Sequence, residues 1–142
     1  MSTKKRQITP EGECIRQRLR TNAAFRVLDQ TASFQSGGCW IAANAIQRQF
    51  GGKLATVTSS RGGAEHFVVE RDGLYYDSEG AQTAQQLLMR MAREEFVPAP
   101  RIVPYESWHK QRSGADTAEP KVVAIQTLFT RCRPPPARRR DG

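Results

Sequence analysis

Glu65–Asp77 reads EHFVVERDGLYYD: two β-rich runs, Glu65–Glu70 and Leu74–Asp77, on either side of Arg71-Asp72-Gly73. An Asp-Gly turn accepts the left-handed backbone that a tight hairpin demands, and flanking β-branched and aromatic residues favour paired strands. The segment therefore predicts an antiparallel hairpin, and the rest of the chain is read outward from it. Upstream, Leu54–Thr58 is a short strand candidate and Ser59–Gly63 a loop. Cys39–Phe50 is alanine-rich and apolar on more than one face, which predicts a buried helix stopped by Gly51-Gly52. Thr9-Pro10-Glu11 has the form of a helix start, and Ile15, Leu19, Ala23 and Val27 recur every four residues, so a helix is expected over 10–28. Downstream, Thr83 and Gln86 stand at capping-box spacing, opening a helix over 83–95 with Leu87, Leu88 and Met91 as its apolar stripe. Pro98, Pro100 and Pro104 break up the region that holds Tyr105, Trp108 and His109. Residues 111–119 read as an exposed loop, and Lys121–Thr130 as a final strand. The expectation is an α+β fold with three helices and an antiparallel sheet of three or four strands.

The chain has 142 residues, 22 Lys+Arg and 14 Asp+Glu, a formal charge of +8. That length suits one domain with a real core. The charge is not spread evenly. Residues 1–20 and 131–142 each carry a net +4, and residues 21–130 hold 11 basic and 11 acidic side chains. The division expected is a basic flexible tail over 1–8, a single domain over 9–130 and a Pro/Arg-rich basic tail over 131–142. No apolar run is long enough to span a membrane, and the basic start is not followed by the apolar stretch of a secretory signal. Cys14, Cys39 and Cys132 are an odd, widely spaced set. They suit neither a disulfide framework nor a zinc site and argue for a reducing, cytoplasmic compartment, with export as an effector still compatible.

Chemistry concentrates in the neutral middle. Cys39 follows Gly37-Gly38 and opens a helix. Free backbone N–H groups and the positive end of the helix dipole favour a thiolate there, and the same N–H groups can hold an oxyanion. Glycines without side chains let a substrate backbone approach. His66 begins the first hairpin strand and Asp77 ends the second, so a turn centred on Arg71-Asp72 sets them opposite each other. A carboxylate beside an imidazole fixes its tautomer and supports the imidazolium.

Ser36-Gly37-Gly38-Cys39-Trp40 resembles the nucleophile segment of papain-like cysteine proteases, where glycine-rich sequence precedes a Cys-Trp that opens the central helix. The order Cys on a helix, His on a strand and Asp on the next strand is similar to the transglutaminase-like branch. The resemblance covers residues 34–80 and departs from the family in a short Cys-to-His interval and in Phe67 after His66. It implies a nucleophile helix packed on a small antiparallel sheet, with Cys39, His66 and Asp77 as a triad. It also implies Gln35 and the Cys39 N–H as the oxyanion hole, Gly37, Gly38 and Trp40 along the substrate approach, and no cofactor or metal. The expected activity is a cysteine hydrolase or acyltransferase on an amide or peptide bond of a protein or peptide substrate.

Plainer readings stand beside this one. Cys39 can be a small core residue, Trp40 core packing under the site, and Asp77 a turn or capping residue, with Glu79 its rival for orienting His66. Glu65 is expected on the opposite, solvated face. His109 is the rival base, without a predictable acid partner. Cys14 reads as structural, Cys132 as exposed between Arg131 and Arg133, and the Met89/Met91 pair as core or groove. The alternative function is a non-catalytic binding module that uses its basic ends on nucleic acid or an acidic protein partner, away from any membrane.

Overall fold

The computed structural model describes residues 9–28, 33–35, 37–113 and 115–132. Except for Arg131 and Cys132, the two expected tails lie outside them. The architecture is mixed α+β. Six α-helices occur among the described residues: α1 (Pro10–Arg18), α2 (Asn22–Phe25), α3 (Cys39–Phe50), α4 (Ala84–Glu94), α5 (Ser107–Ser113) and α6 (Glu119–Leu128). A 3-10 turn, Phe129–Arg131, extends α6. Five strands, β1 (Lys53–Thr58), β2 (Ala64–Arg71), β3 (Leu74–Asp77), β4 (Gly80–Gln82) and β5 (Arg101–Pro104), form one antiparallel sheet in the order β4-β3-β2-β1-β5.

The hairpin is β2–β3. Its turn is Asp72-Gly73, both at positive φ (51° and 81°), the combination that a two-residue hairpin loop requires. Val69 pairs with Tyr76, so the register is offset by two residues from the expected direct opposition of His66 and Asp77. A two-residue offset keeps both side chains on the same face, because side chains alternate with a period of two. Just before His66, Ala64 pairs with Thr58 and His66 with Val57, which leaves Glu65 as the extra residue of a β-bulge. Bulges re-aim neighbouring side chains and cluster near functional sites.

One face of the sheet carries Phe67, Val69 and Tyr76 into the main core, where α3 supplies Ile41, Ala42, Ala45 and Ile46. Val122, Ile125 and Phe129 close that core from the far side of α3. The other face carries Ala55, Val57 and Val68 against Leu87 and Met91 of α4. Met89, on the outer side of α4, is exposed. The expected capping box on Thr83 is present, with Thr83 and Gln86 bonding reciprocally. Thr9 caps α1 as expected by accepting from Gly12 N, and Gly51 ends α3 at φ 86°.

Several expectations are corrected. The long first helix breaks at Leu19–Thr21, because the Thr21 hydroxyl accepts from Ala24 N and donates to Arg18 O, capping α2 instead of continuing α1. The break moves the buried positions from Ala23 and Val27 to Ala24 and Leu28. Lys121–Thr130 is helical, not a strand: Val122, Ile125 and Phe129 are buried at spacings of three and four, while Val123 is 49% exposed. Its β-branched content is overridden by packing on α3. The sheet gains β4 and β5 over the smaller expectation. The β5 strand tolerates Pro104 because it is an edge strand. The expected loop over 111–119 is shortened by α5, which runs to Ser113.

Cys14 and Cys132 form a disulfide. Cys132 is therefore neither exposed nor part of a free tail; it is 2% exposed, and the fold extends two residues past its expected end. The inference to a reducing compartment rested on three unpaired thiols and falls with that pairing. Among the described residues, no helix is long and apolar enough to cross a membrane.

Candidate active site

Cys39 is the first residue of α3, and its N–H belongs to the first turn, whose donors have no acceptor within the helix. Gly37, at φ 88°, sends the chain into that turn, and its carbonyl accepts from Asp116 N at 2.9 Å. Gly38 is glycine because of close packing: a Cβ there would stand 2.7 Å from Ser33 O and 3.0 Å from Leu28 Cδ1. The absent side chain thus makes room for this chain's own backbone. Trp40 is buried, edge-on to Phe67 at 5.1 Å between ring centroids, with Tyr105 at 5.2 Å and Lys110 Nζ over its ring. It packs beneath the site and does not line an open approach.

His66 and Asp77, both 1% exposed, meet with Nε2 and Oδ2 2.8 Å apart. The second carboxylate oxygen, Oδ1, accepts from Glu79 N at 2.8 Å and Gln82 Nε2 at 2.9 Å. Glu79 thus reaches Asp77 through its backbone, while its carboxylate pairs with Arg20. The remaining ring nitrogen of His66, Nδ1, is buried with no hydrogen-bond partner. Cys39 interacts with this ring, and Nδ1 is the nitrogen left to meet it. Burial alone would push the His66 pKa down. The hydrogen bond to Asp77 and the interactions with Cys39 and the Asp77 charge outweigh burial and raise it to about 9. For Asp77, burial would raise the pKa; the His66 hydrogen bond, the Arg90 charge and the Glu79 N–H hold it well below the usual carboxylate range.

Arg90, on α4, was not singled out by the sequence, yet it organises the back of the site. Its Nη2 pairs with Asp77 Oδ2, its Nη1 donates to Gln35 Oε1 at 2.6 Å, and its Nε donates to Gln82 Oε1 at 3.2 Å. Gln35 Nε2 in turn donates to Ser78 Oγ. Arg90 therefore ties the segment before Cys39 to the carboxylate behind His66. A weak signal existed, since Arg90 lies three residues after Leu87 and one before Met91, on the shoulder of the buried stripe.

His109 is placed elsewhere in the structure. Its buried Nδ1 accepts from Glu106 N at 3.0 Å and lies 2.9 Å from Thr56 Oγ1, so that ring nitrogen is committed to the residue before α5 and to β1. Glu65 is half-buried and accepts from Ser59 Oγ at 2.8 Å, with Arg61 3.6 Å away.

Compared with known family models, with curated proteins and with solved structures, the chain matches none.

These charges set a pH dependence. The His66 contribution to stability is complete below the ordinary imidazole value of 6.5 and is lost as pH rises through about 9. The Asp77 contribution is complete above the ordinary carboxylate value of 3.8 and is lost only in strong acid. Urea unfolding from about pH 6 to about pH 10 is expected to show an alkaline fall in stability that His66→Gln lacks. Equal pH profiles for the two proteins would contradict the raised pKa.

Proposed function

We propose that the protein is a cysteine-nucleophile enzyme acting on an amide or peptide bond, with a papain-like or transglutaminase-like core and Cys39, His66 and Asp77 as its triad. One observation carries the reading. A buried imidazole is fixed by a carboxylate at one nitrogen and keeps its other nitrogen unpartnered beside the only free cysteine, at a helix N-terminus. A core thiol needs no such neighbour, and a structural histidine would pair both nitrogens.

In this reading the thiol proton is held by His66, whose ring Asp77 orients. The Cys39 sulfur attacks the carbonyl carbon. The oxyanion takes hydrogen bonds from the Cys39 N–H and from Gln35 if its amide turns from Ser78. Collapse breaks the C–N bond as His66 gives its proton to the departing amine, leaving a thioester on Cys39. Water, or an acceptor amine, then loses a proton to His66 and attacks the thioester. The C–S bond breaks and the thiol is restored. Asp77 keeps Nε2 protonated and the ring aligned throughout, and Arg90 keeps Asp77 ionised.

The test is alkylation of the native protein by iodoacetamide near neutral pH, followed by intact mass and peptide mapping. One adduct is expected, on Cys39, at least about tenfold faster than on a small free thiol. His66→Gln is expected to slow it to the ordinary thiol rate or below. Labelling no faster than unfolding, and insensitive to His66, would make Cys39 a core residue.

A further inference from the structure

Two cationic groups compete for one oxygen of Asp77. His66 Nε2 and Arg90 Nη2 both meet Oδ2. An arginine beside a carboxylate commonly closes on both oxygens with two parallel N–H bonds. Arg90 does not, because its other donors are engaged: Nη1 donates to Gln35 Oε1 at 2.6 Å, and Nε donates to Gln82. The Gln82 amide stands between the guanidinium and the carboxylate. Its Oε1 accepts from Arg90 Nε at 3.2 Å and Nη2 at 3.1 Å, and its Nε2 donates to Asp77 Oδ1 at 2.9 Å. Turned over, the amide would set N–H against N–H and oxygen against carboxylate oxygen, so it has one orientation. The backbone holds it there. β4 pairs Gln82 with Tyr75 and Gly80 with Asp77, so alternation sets Gln82 on the Asp77 side of the sheet. The next residue, Thr83, caps α4, which ties the place of Gln82 to that of Arg90. Gln82 is itself buried.

We propose that Gln82 is a positioning residue, which keeps Arg90 from closing on both oxygens of Asp77 and so reserves Oδ2 for His66. The role rests on the triad reading given above. A guanidinium carries its charge permanently, whereas an imidazole is charged only while protonated. In open competition Arg90 would take the whole carboxylate, and His66 would lose the one bond that fixes its ring. Gln82 prevents this by satisfying both sides at once. It gives the inner edge of Arg90 an acceptor and gives Oδ1 a donor, and a neutral amide is the side chain that offers both from one end. The Glu79 N–H, the other donor to Oδ1, supports the same division of the two oxygens. Three groups then set the state of the ring: Asp77 from β3, Cys39 from α3 and, acting through Asp77, Arg90 from α4.

NMR titration of the His66 ring in the full chain tests this. The chain has only two histidines, so His66→Gln identifies the resonance. Gln82→Met keeps the bulk and removes both hydrogen-bonding groups. It is expected to lower the His66 pKa from about 9 to the ordinary 6.5 or below, because a buried imidazole without its partner resists charging. It is also expected to slow Cys39 alkylation by iodoacetamide about tenfold. Gln82→Glu is expected to leave the His66 pKa at about 9 or higher. Its carboxyl group still accepts from Arg90, and it either donates its proton to Oδ1 as the amide does or adds a negative charge. In Gln82→Met/Arg90→Met the competitor is gone, and the pKa is expected to return toward about 9. Thermal melting confirms that each variant folds, and where Gln82→Met does not, the Gln82→Glu titration decides. An unchanged pKa in Gln82→Met, a fall in Gln82→Glu, or an equal fall with and without Arg90 would make Gln82 a structural residue only. Wild-type Cys39 labelled no faster than a small free thiol would instead overturn the enzyme reading, a failure that the titration keeps separate from that of Gln82.

Discussion

Asp77→Ala is expected to cost about 3–5 kcal/mol of folding stability, the range seen when one partner of a buried ion pair is removed. The cost comes from what is left behind. Asp77 accepts from His66, Arg90, Gln82 and the Glu79 N–H, so its two oxygens hold four donors. Without the carboxylate, His66 has no hydrogen bond at either nitrogen, since Nδ1 has none to begin with. Arg90, 13% exposed, keeps Gln35 and Gln82 but loses its counter-ion. Asp77→Asn isolates charge from shape. It keeps the volume and can still bond Glu79 N, but it cannot balance both an imidazolium and a guanidinium. It is expected to fold with an intermediate loss and to lower the His66 pKa. Urea unfolding gives the stability and NMR titration of the His66 ring gives the pKa. A loss below about 1 kcal/mol for Asp77→Ala would show the cluster to be solvated like a surface pair.

The parts of this site that were legible from sequence are those that local rules determine. Gly-Gly before Cys39 and again after Phe50 bounds α3 at both ends. The Asp-Gly turn gives the hairpin, and strand alternation puts His66 and Asp77 on one face even though the pairing differs by two residues. A one-residue error would have separated them. What could not be read are consequences of distant packing. Arg90 is one charged residue among many on an amphipathic helix, and only the meeting of α4 with β3 makes it the partner of Asp77. The Val122–Phe129 segment is rich in β-branched residues, and only the apolar back of α3 decides that it is a helix. Thr21 breaks the first helix with a hydroxyl that also suits a turn. Cys14 and Cys132 lie at opposite ends of the chain, where spacing carries no information about pairing.

Removing that pairing is the second large effect expected. Cys14→Ala/Cys132→Ala should lose about 4–5 kcal/mol, the chain-entropy value for a crosslink closing a loop of roughly a hundred residues. Native contacts also hold each end on the core. Thr9 Oγ1 bonds Tyr76 OH at 3.0 Å, and Gly12 lies so close to β4 that a Cβ on it would stand 2.7 Å from Ala81 N. Phe129 is buried beside Phe50, with ring centroids 5.9 Å apart. Each contact holds one end on the core, but none joins the ends in the unfolded chain, and there the crosslink has most of its effect. Urea unfolding with and without reductant measures it, using Cys39→Ala as background so that no third thiol can exchange. Reduced protein and the alanine pair are expected to agree, because both release the same loop. A difference of less than about 1 kcal/mol between oxidised and reduced protein would mean that the denatured chain already keeps its ends together. If the larger value holds, the buried Cys132 sulfur protects a bond on which much of a marginal stability depends, since whole domains of this size are stable by only about 5–15 kcal/mol. Reduction would then remove at least about a quarter of that stability.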